Sequence, residues 1–175
     1  MDEDRVILID ERDRETGSGE KLAVHRAGTL HRAFSVFVTD PQGRVILQRR
    51  ADGKYHSAGR WSNTACGHPR PGEAVADAAS RRLREEMGFD CPLREVFSFI
   101  YRADLEHGLV EHELDHVFVG SSSGAPRPDP AEVSDWRAVA PGVLQEEVLK
   151  QPERYSVWLR EALEGLMERG AFNVQ

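Results

Sequence analysis

The spacing of apolar positions divides the chain into elements of both periods. Val6 to Ile9 is an apolar run of strand length. Ala33 to Thr39 (AFSVFVT) and Arg44 to Gln48 (RVILQ) are rich in β-branched and aromatic residues, and Asp40-Pro-Gln-Gly43 between them predicts a hairpin. Glu73 to Met87 (EAVADAASRRLREEM) has the helical period. Val75, Ala79, Leu83 and Met87 recur every four residues and Ala78 fills the same face, so one side packs. Gly88, just past the last periodic residue, predicts the helix end. Val96 to Tyr101, Leu109 to Val119 and Glu132 to Val139 read as extended, and Pro141 to Lys150 and Glu153 to Arg169 as helical. The run from Gly120 to Pro130, rich in Ser, Gly and Pro, is the clearest loop. Strands, one helix, more strands and then helices make an α+β pattern: a mixed sheet flanked by helices. Residues 1–175 are expected to form a single domain, because the roughly 45 residues after the loop are too few for a core of their own.

Composition narrows the function classes. The chain has 175 residues, of which 39% are hydrophobic and 30% charged, the profile of an ordinary globular protein. The formal charge of −7 argues against broad binding to nucleic acid or to an anionic membrane surface. It leaves room for a small anionic substrate gripped by a local basic cluster. No apolar run approaches the ~20 residues of a membrane span, and the acidic N-terminus has no signal-peptide pattern. Two cysteines, Cys66 and Cys91, make no disulfide framework, so a cytoplasmic protein is expected. A monomer is also expected.

Five clusters carry candidate chemistry. The window from Gly67 to Phe89 places a glycine-containing loop before a helix, with Glu73, Arg81, Arg82, Glu85, Glu86 and Gly88 at fixed spacing. Carboxylates gathered near the end of such a helix suit Mg²⁺, which in turn clamps a diphosphate. The window resembles the Nudix box, with one departure: Arg82 stands where that pattern has Glu. A cation in place of a metal-gathering acid weighs against pyrophosphate hydrolysis while leaving a diphosphate ligand in play. In the second cluster, Trp61 to Pro69, Cys66 and His68 project from one face if the segment is extended. Such a pair suits a nucleophile, a proton-transfer group or metal ligands.

The third cluster is Val110-Glu-His-Glu-Leu-Asp-His116. On a strand, Glu111, Glu113 and Asp115 share a face, and their repulsion needs a metal or a proton to resolve it. On a helix, His112 to His116 is the zinc-protease pattern H-E-x-x-H. Gly108 upstream and Val117-Phe118-Val119 downstream favour the strand, where the two histidines lie about 13 Å apart, too far to share a zinc ion. His25 and His31 form the fourth cluster. With His68, Glu111 and Glu113 they make an N/O donor set for a divalent metal, and Zn²⁺, Mn²⁺ and Mg²⁺ all remain open. The fifth is basic: Lys21, Arg49, Arg50, Lys54, Arg81, Arg82 and Arg84 are residue types that recognise phosphate oxygens.

Together these clusters resemble the type I isopentenyl-diphosphate isomerases, relatives of the Nudix hydrolases. The likeness covers roughly residues 5 to 120. It rests on Glu20-Lys21 to His31, Arg49-Arg50-Ala51 with Lys54, Asn63-Thr-Ala-Cys-Gly-His-Pro69, Arg81-Arg82 leading to Glu86 and Gly88, and Tyr101-Arg102-Ala103 followed by Glu111 and Glu113. The resemblance implies a Nudix-like fold and interconversion of isopentenyl and dimethylallyl diphosphate through a tertiary carbocation. By position it implies Cys66 and Glu113 as the acid–base pair, with Tyr101 assisting. It implies His25, His31, His68, Glu111 and Glu113 as ligands of a divalent metal, with Mn²⁺, Mg²⁺ and Zn²⁺ as the candidates. It implies Glu86 as a ligand of the Mg²⁺ that arrives with the diphosphate, and Lys21, Arg50, Lys54 and Arg82 as diphosphate contacts. An aromatic face beside the cation is required, and Trp61 and Trp158 are the candidates. A Nudix hydrolase of a nucleotide or sugar diphosphate is the second reading; it accounts for the box but not for Arg82 or for Asn63 to Pro69. A metal-dependent binding module is the third, and it leaves both proton-transfer candidates without a purpose.

Overall fold

The computed structural model describes residues 4–172. Among them run nine strands and four helices: β1 (Arg5–Ile9), β2 (Glu15–Glu20), α1 (Lys21–Ala27), β3 (His31–Thr39), β4 (Val45–Arg50), β5 (Trp61–Ser62), β6 (Ala65–Gly67), α2 (Val75–Met87), β7 (Arg94–Asp104), β8 (Val110–Ser121), β9 (Val133–Val139), α3 (Pro141–Lys150) and α4 (Leu159–Glu168). The expected mixed sheet between helices is present. Its hub is β3, which pairs antiparallel with β1, β4 and β6 and parallel with β8. On one side Phe34, Val36, Val38, Ile46 and Phe118 pack against Ala78, Ala79, Leu83 and Met87 of α2. On the other, Phe37, Leu47, Val117 and Val119 pack against Leu144, Val148, Leu159, Leu163 and Leu166 of α3 and α4. The apolar face read from the period of α2 is therefore the buried one. No described helix is long and apolar enough to cross a membrane.

Gly88 ends α2 in the left-handed conformation, φ 70°. A Cβ there would lie 2.2 Å from the Arg127 carbonyl oxygen, so no side chain fits. The loop read from Gly120 to Pro130 is thereby stitched to the helix end. Arg127 N–H donates to the Met87 carbonyl at 2.8 Å and Asp129 N–H to the Glu86 carbonyl at 3.0 Å, which satisfies acceptors that a helix end leaves open.

The structure departs from the sequence reading at three points and settles a fourth. The hairpin of β3 and β4 pairs only at Thr39 and Val45. Beyond that corner β3 runs beside β8 and β4 beside β9, which makes β3 and β4 interior strands whose residues are nearly all buried. Second, β2 (ETGSGE) and α1 went unread, having no apolar alternation and only seven helical residues respectively. The Glu20 side chain accepts from Leu22 N–H and Ala23 N–H and so starts α1. Third, the last helix begins at Leu159 rather than Glu153. Tyr155 bridges to Trp61, and Ser156 N–H donates to the Trp61 carbonyl at 2.9 Å, which draws this segment out of the helix. Fourth, residues 110–121 form the strand that Gly108 and Val117-Phe118-Val119 favour, which excludes the helical H-E-x-x-H alternative.

Candidate functional site

Parallel strands β3 and β8 lie in register, His31 beside Glu113 and Ser35 beside Val117. By strand alternation His31, Ser35 and Phe37 share one face of β3, and Glu111, Glu113, Asp115, Val117 and Val119 share one face of β8. Along both strands this face passes from polar to apolar, and the apolar end is the part covered by α3 and α4. The polar end is the site. Helix α1 brings His25 to it, with ring centroids 4.8 Å from His31 and 5.5 Å from His68. Ligand atoms of His25, His31, His68 and Glu113 all lie within 4.8 Å of one another. Glu111 joins through a second group of the same compass, made with His25 and His56.

The rings are aimed from behind. His25 Nδ1 lies 2.7 Å from the Lys21 carbonyl oxygen and His31 Nδ1 2.9 Å from that of Thr29. A carbonyl only accepts, so each Nδ1–H donates and each Nε2 is left with its lone pair facing the site. His25 Nε2, His31 Nε2 and Glu111 Oε2 are buried and have no hydrogen-bond partner. Each such orphan costs roughly 1–3 kcal/mol. One divalent cation would satisfy all three, and imidazole nitrogen with carboxylate oxygen is a donor set for such an ion. The residues present therefore fit a metal.

Two of the acids on the face of β8, Glu113 and Asp115, are pushed in opposite directions. Burial opposes a charge on Glu113, but the His31 ring and the Tyr101 hydroxyl beside it outweigh burial and hold this carboxyl below the usual range. His68 Nε2 is 2.7 Å and His31 Nε2 3.2 Å from Glu113 Oε1, and the Tyr101 hydroxyl donates to Oε2 at 2.6 Å. Asp115 goes the other way: burial and the charge of Glu113 push it well above its ordinary value, and the Ser35 hydroxyl donates to it at 2.7 Å.

A cavity of about 420 Å³ opens beside this cluster, lined by Cys66, His68, Glu86, Glu111, Glu113 and Trp158 and by Lys21, Arg50, Lys54 and Arg82. Strand β6 pairs with β3 on the side away from β8, Cys66 opposite Ser35. Cys66 and Glu113 thus reach the cavity from strands on either side of β3. Burial first, then the charge of Glu86, pushes the Cys66 thiol up to about 12, so it is protonated at neutral pH. The Arg50 guanidinium lies 5.5 Å from the Trp158 ring centre, and Trp158 Nε1–H donates to Asn63 Oδ1 at 2.9 Å.

The four expected diphosphate contacts form one cationic wall. Arg82 pairs with Glu86 at 2.7 Å and with Glu132 at 3.0 Å, and Lys54 reaches the same Glu132 oxygen at 2.5 Å. Burial and the nearby charges of Lys54, Arg82 and Arg50 lower the pKa of Lys21, whose ammonium lies 5.2 Å from the Tyr55 ring centre. An incoming anion relieves this crowding of positive charge. Glu86 is buried, ion-paired with Arg82 and hydrogen-bonded by Gln48.

Some candidates lie elsewhere. Trp61 does not line the cavity; it packs on the core under α3 and α4, with the Arg137 guanidinium 4.7 Å from its ring. Its place on β5, beside Tyr155, turns it away from the site. Arg49 donates to the Gly59 carbonyl and Arg84 pairs with Asp90 at the surface. Arg81, by contrast, does line the cavity, but its guanidinium is held by Glu73 at 2.7 Å, locking the start of the box to its middle. His112 and His116 face away, toward the Gly28 carbonyl and toward Glu95 and Asp13. The sequence reading missed Tyr55, His56 and Glu132, all of which line the cavity. The neighbourhood of Arg50 and Lys54 was the one signal for the first two.

Comparison with known proteins fits this geometry. A model of the NUDIX domain matches residues 29–164. The isopentenyl-diphosphate Delta-isomerase 2 of Aromatoleum aromaticum is 53% identical over 171 residues, 98% of this chain and 90% of that protein. The chain belongs to the isopentenyl-diphosphate Delta-isomerase family. A family member from Burkholderia multivorans is likewise 53% identical, over 89% of each chain. Among solved structures, DR0079 from Deinococcus radiodurans superposes with a TM-score of 0.77 at 21% identity, covering 91% of this chain and 97% of its own. The MutT protein from Methanosarcina mazei gives 0.66 at 17%, covering 81% and 95%. These two share the fold. The isomerase family thus sits on a Nudix scaffold, and Arg82 is where this chain leaves the hydrolase pattern.

Proposed function

We infer that this chain interconverts isopentenyl diphosphate and dimethylallyl diphosphate. The observation that carries the reading is that a thiol, Cys66, and a buried carboxylate, Glu113, reach one cavity from strands on either side of β3, beside a cationic wall. The reaction adds a proton at one end of the alkene, giving a tertiary carbocation, and removes a proton from the carbon nearer the diphosphate. One proton enters and one leaves, so nothing is oxidised or reduced. Cys66 and Glu113 hold one exchangeable proton between them, and the two directions of reaction start from its two placements. Tyr101 fixes Glu113 and passes protons to it. The face of Trp158, held by Asn63, lies beside the cation. Lys21, Arg50, Lys54 and Arg82 hold the diphosphate, and Glu86 holds the Mg²⁺ that accompanies it. His25, His31, His68, Glu111 and Glu113 hold a divalent metal, for which Mn²⁺, Mg²⁺ and Zn²⁺ are the candidates. When bound, it supplies a fixed positive charge that favours the ionised form of Glu113.

Incubation with isopentenyl diphosphate and Mg²⁺ in D₂O, followed by proton and phosphorus NMR, tests the reading. Dimethylallyl diphosphate carrying deuterium, with its diphosphate intact, is expected. A folded, metal-replete sample that gives no isomer but releases phosphate from a nucleotide-diphosphate panel would establish the hydrolase instead.

Arg82 provides a second check. Arg82→Glu removes a cation from the wall and sets a third carboxylate beside Glu86 and Glu132. Substrate affinity is expected to fall on the order of 100-fold, as for loss of a desolvated charge partner. KM measured on protein of normal metal content and melting temperature checks this, and an unchanged KM removes Arg82 from the diphosphate contacts.

A further inference from the structure

His56 lies in the turn after β4 and is buried. Its Nε2 is 3.4 Å from Glu111 Oε1, while His25 Nε2 is 3.6 Å from Glu111 Oε2. These three side chains place a ligand atom each within 4.8 Å of the others. Glu111 Oε2 and His25 Nε2 are two of the buried orphans described above, so this side of the cage has unfilled bonding capacity. The turn is built to hold the ring there. Ser57, the next residue, has φ 52°, a left-handed conformation that a residue with a side chain rarely adopts. Arg50 donates to the His56 carbonyl at 3.3 Å, and Ser57 Oγ lies 3.2 Å from His56 Nδ1. Tyr55 and Trp158 meet the ring edge-on, with centroids at 4.5 and 6.0 Å.

We propose that His56 is a further ligand of the metal centre, entering beside Glu111 on the side that His31, His68 and Glu113 leave open. The inference rests on the metal reading of the site. It makes the donor set four imidazoles and two carboxylates, which suits Zn²⁺ or Mn²⁺ better than Mg²⁺. It also ties the metal to the diphosphate grip. Arg50 holds the carbonyl of His56, and Lys54 stands two residues before it on the same turn. Metal loading then orders that turn, and by linkage a diphosphate raises metal affinity by the same factor as metal raises diphosphate affinity.

The test uses full-length wild type, His25→Ala, His56→Ala, His56→Gln and His112→Ala, stripped of metal. Zn²⁺ affinity is read by competition with a chromophoric chelator, and the Co²⁺-loaded proteins give visible spectra. His56→Ala and His56→Gln are expected to bind Zn²⁺ at least tenfold more weakly and to change the Co²⁺ spectrum. Their metal-free melting temperatures are expected to match wild type, and His112→Ala to behave as wild type throughout. Affinity within twofold of wild type in the His56 variants, with His25→Ala impaired, overturns the proposal alone. Weaker binding with the wild-type Co²⁺ spectrum makes His56 a support and not a ligand, and overturns it too. Wild-type affinity in His25→Ala as well removes the metal centre itself.

Discussion

Cys66→Ala is expected to lower kcat for isomerisation by a factor of at least about 10²–10⁴, the range that a positioned proton-transfer group contributes. The variant deletes one sulfur at the cavity wall. It leaves in place the donors of the metal centre, which stand on α1, β3 and β8 and in the residue after β6. Metal content, measured by elemental analysis, should therefore equal that of wild type. Because the guanidinium of Arg50 approaches the sulfur only at 3.9 Å, the diphosphate grip should also survive, with KM changed little. The decisive measurement is turnover of isopentenyl diphosphate in D₂O. Near-wild-type deuterium uptake would show that another acid works opposite Glu113, and Cys66 would become a wall residue.

Stripping the metal should cost stability as well as activity. The apo centre leaves His25 Nε2, His31 Nε2 and Glu111 Oε2 buried without partners. A ligand present at 1,000 times its dissociation constant adds about 4 kcal/mol to the folded state. In a domain of this size each kcal/mol moves Tm by roughly 2–4 °C, so a rise of about 8–16 °C is expected when metal is restored. Differential scanning calorimetry of chelator-treated and metal-loaded protein checks it. Superimposable melting curves at saturating Zn²⁺ and Mn²⁺ would mean that these side chains hold no ion that matters to the fold.

What could be read from the sequence was what local chemistry dictates. The helix α2 was legible because its packing face has a clean period and Gly88 ends it. The Nudix departure at Arg82 was legible because a fixed spacing makes one wrong-sign residue visible. The helix α1 was not, since seven residues capped by Glu20 carry no stripe. The parting of β3 and β4 was not, since strand partners are chosen by the tertiary fold and a hairpin signal speaks only for its turn. Four of the expected metal ligands gather in one group, and Glu111 joins through His25, grouping with it and His56 and not with His31, His68 and Glu113. His56 escaped notice because it belongs to no spaced motif, and Trp61 misled because a tryptophan next to Asn63 to Pro69 looks like part of the site. Only the bridge from Trp61 to Tyr155, ninety-odd residues away in sequence, assigns it to the core.

The shared face of β3 and β8 has a kinetic consequence. One end of it bears His31, Glu111 and Glu113, and the other is buried under α3 and α4. The amides that position these ligands belong to the ladder that holds the core together. They should exchange with solvent deuterium only as fast as the whole domain opens, with no partial unfolding that frees the metal first. The turn at residues 51–58, outside that ladder, is free to exchange faster. Opening of that turn would release Lys54 and His56 together, while His31, Glu111 and Glu113 stay fixed on the ladder.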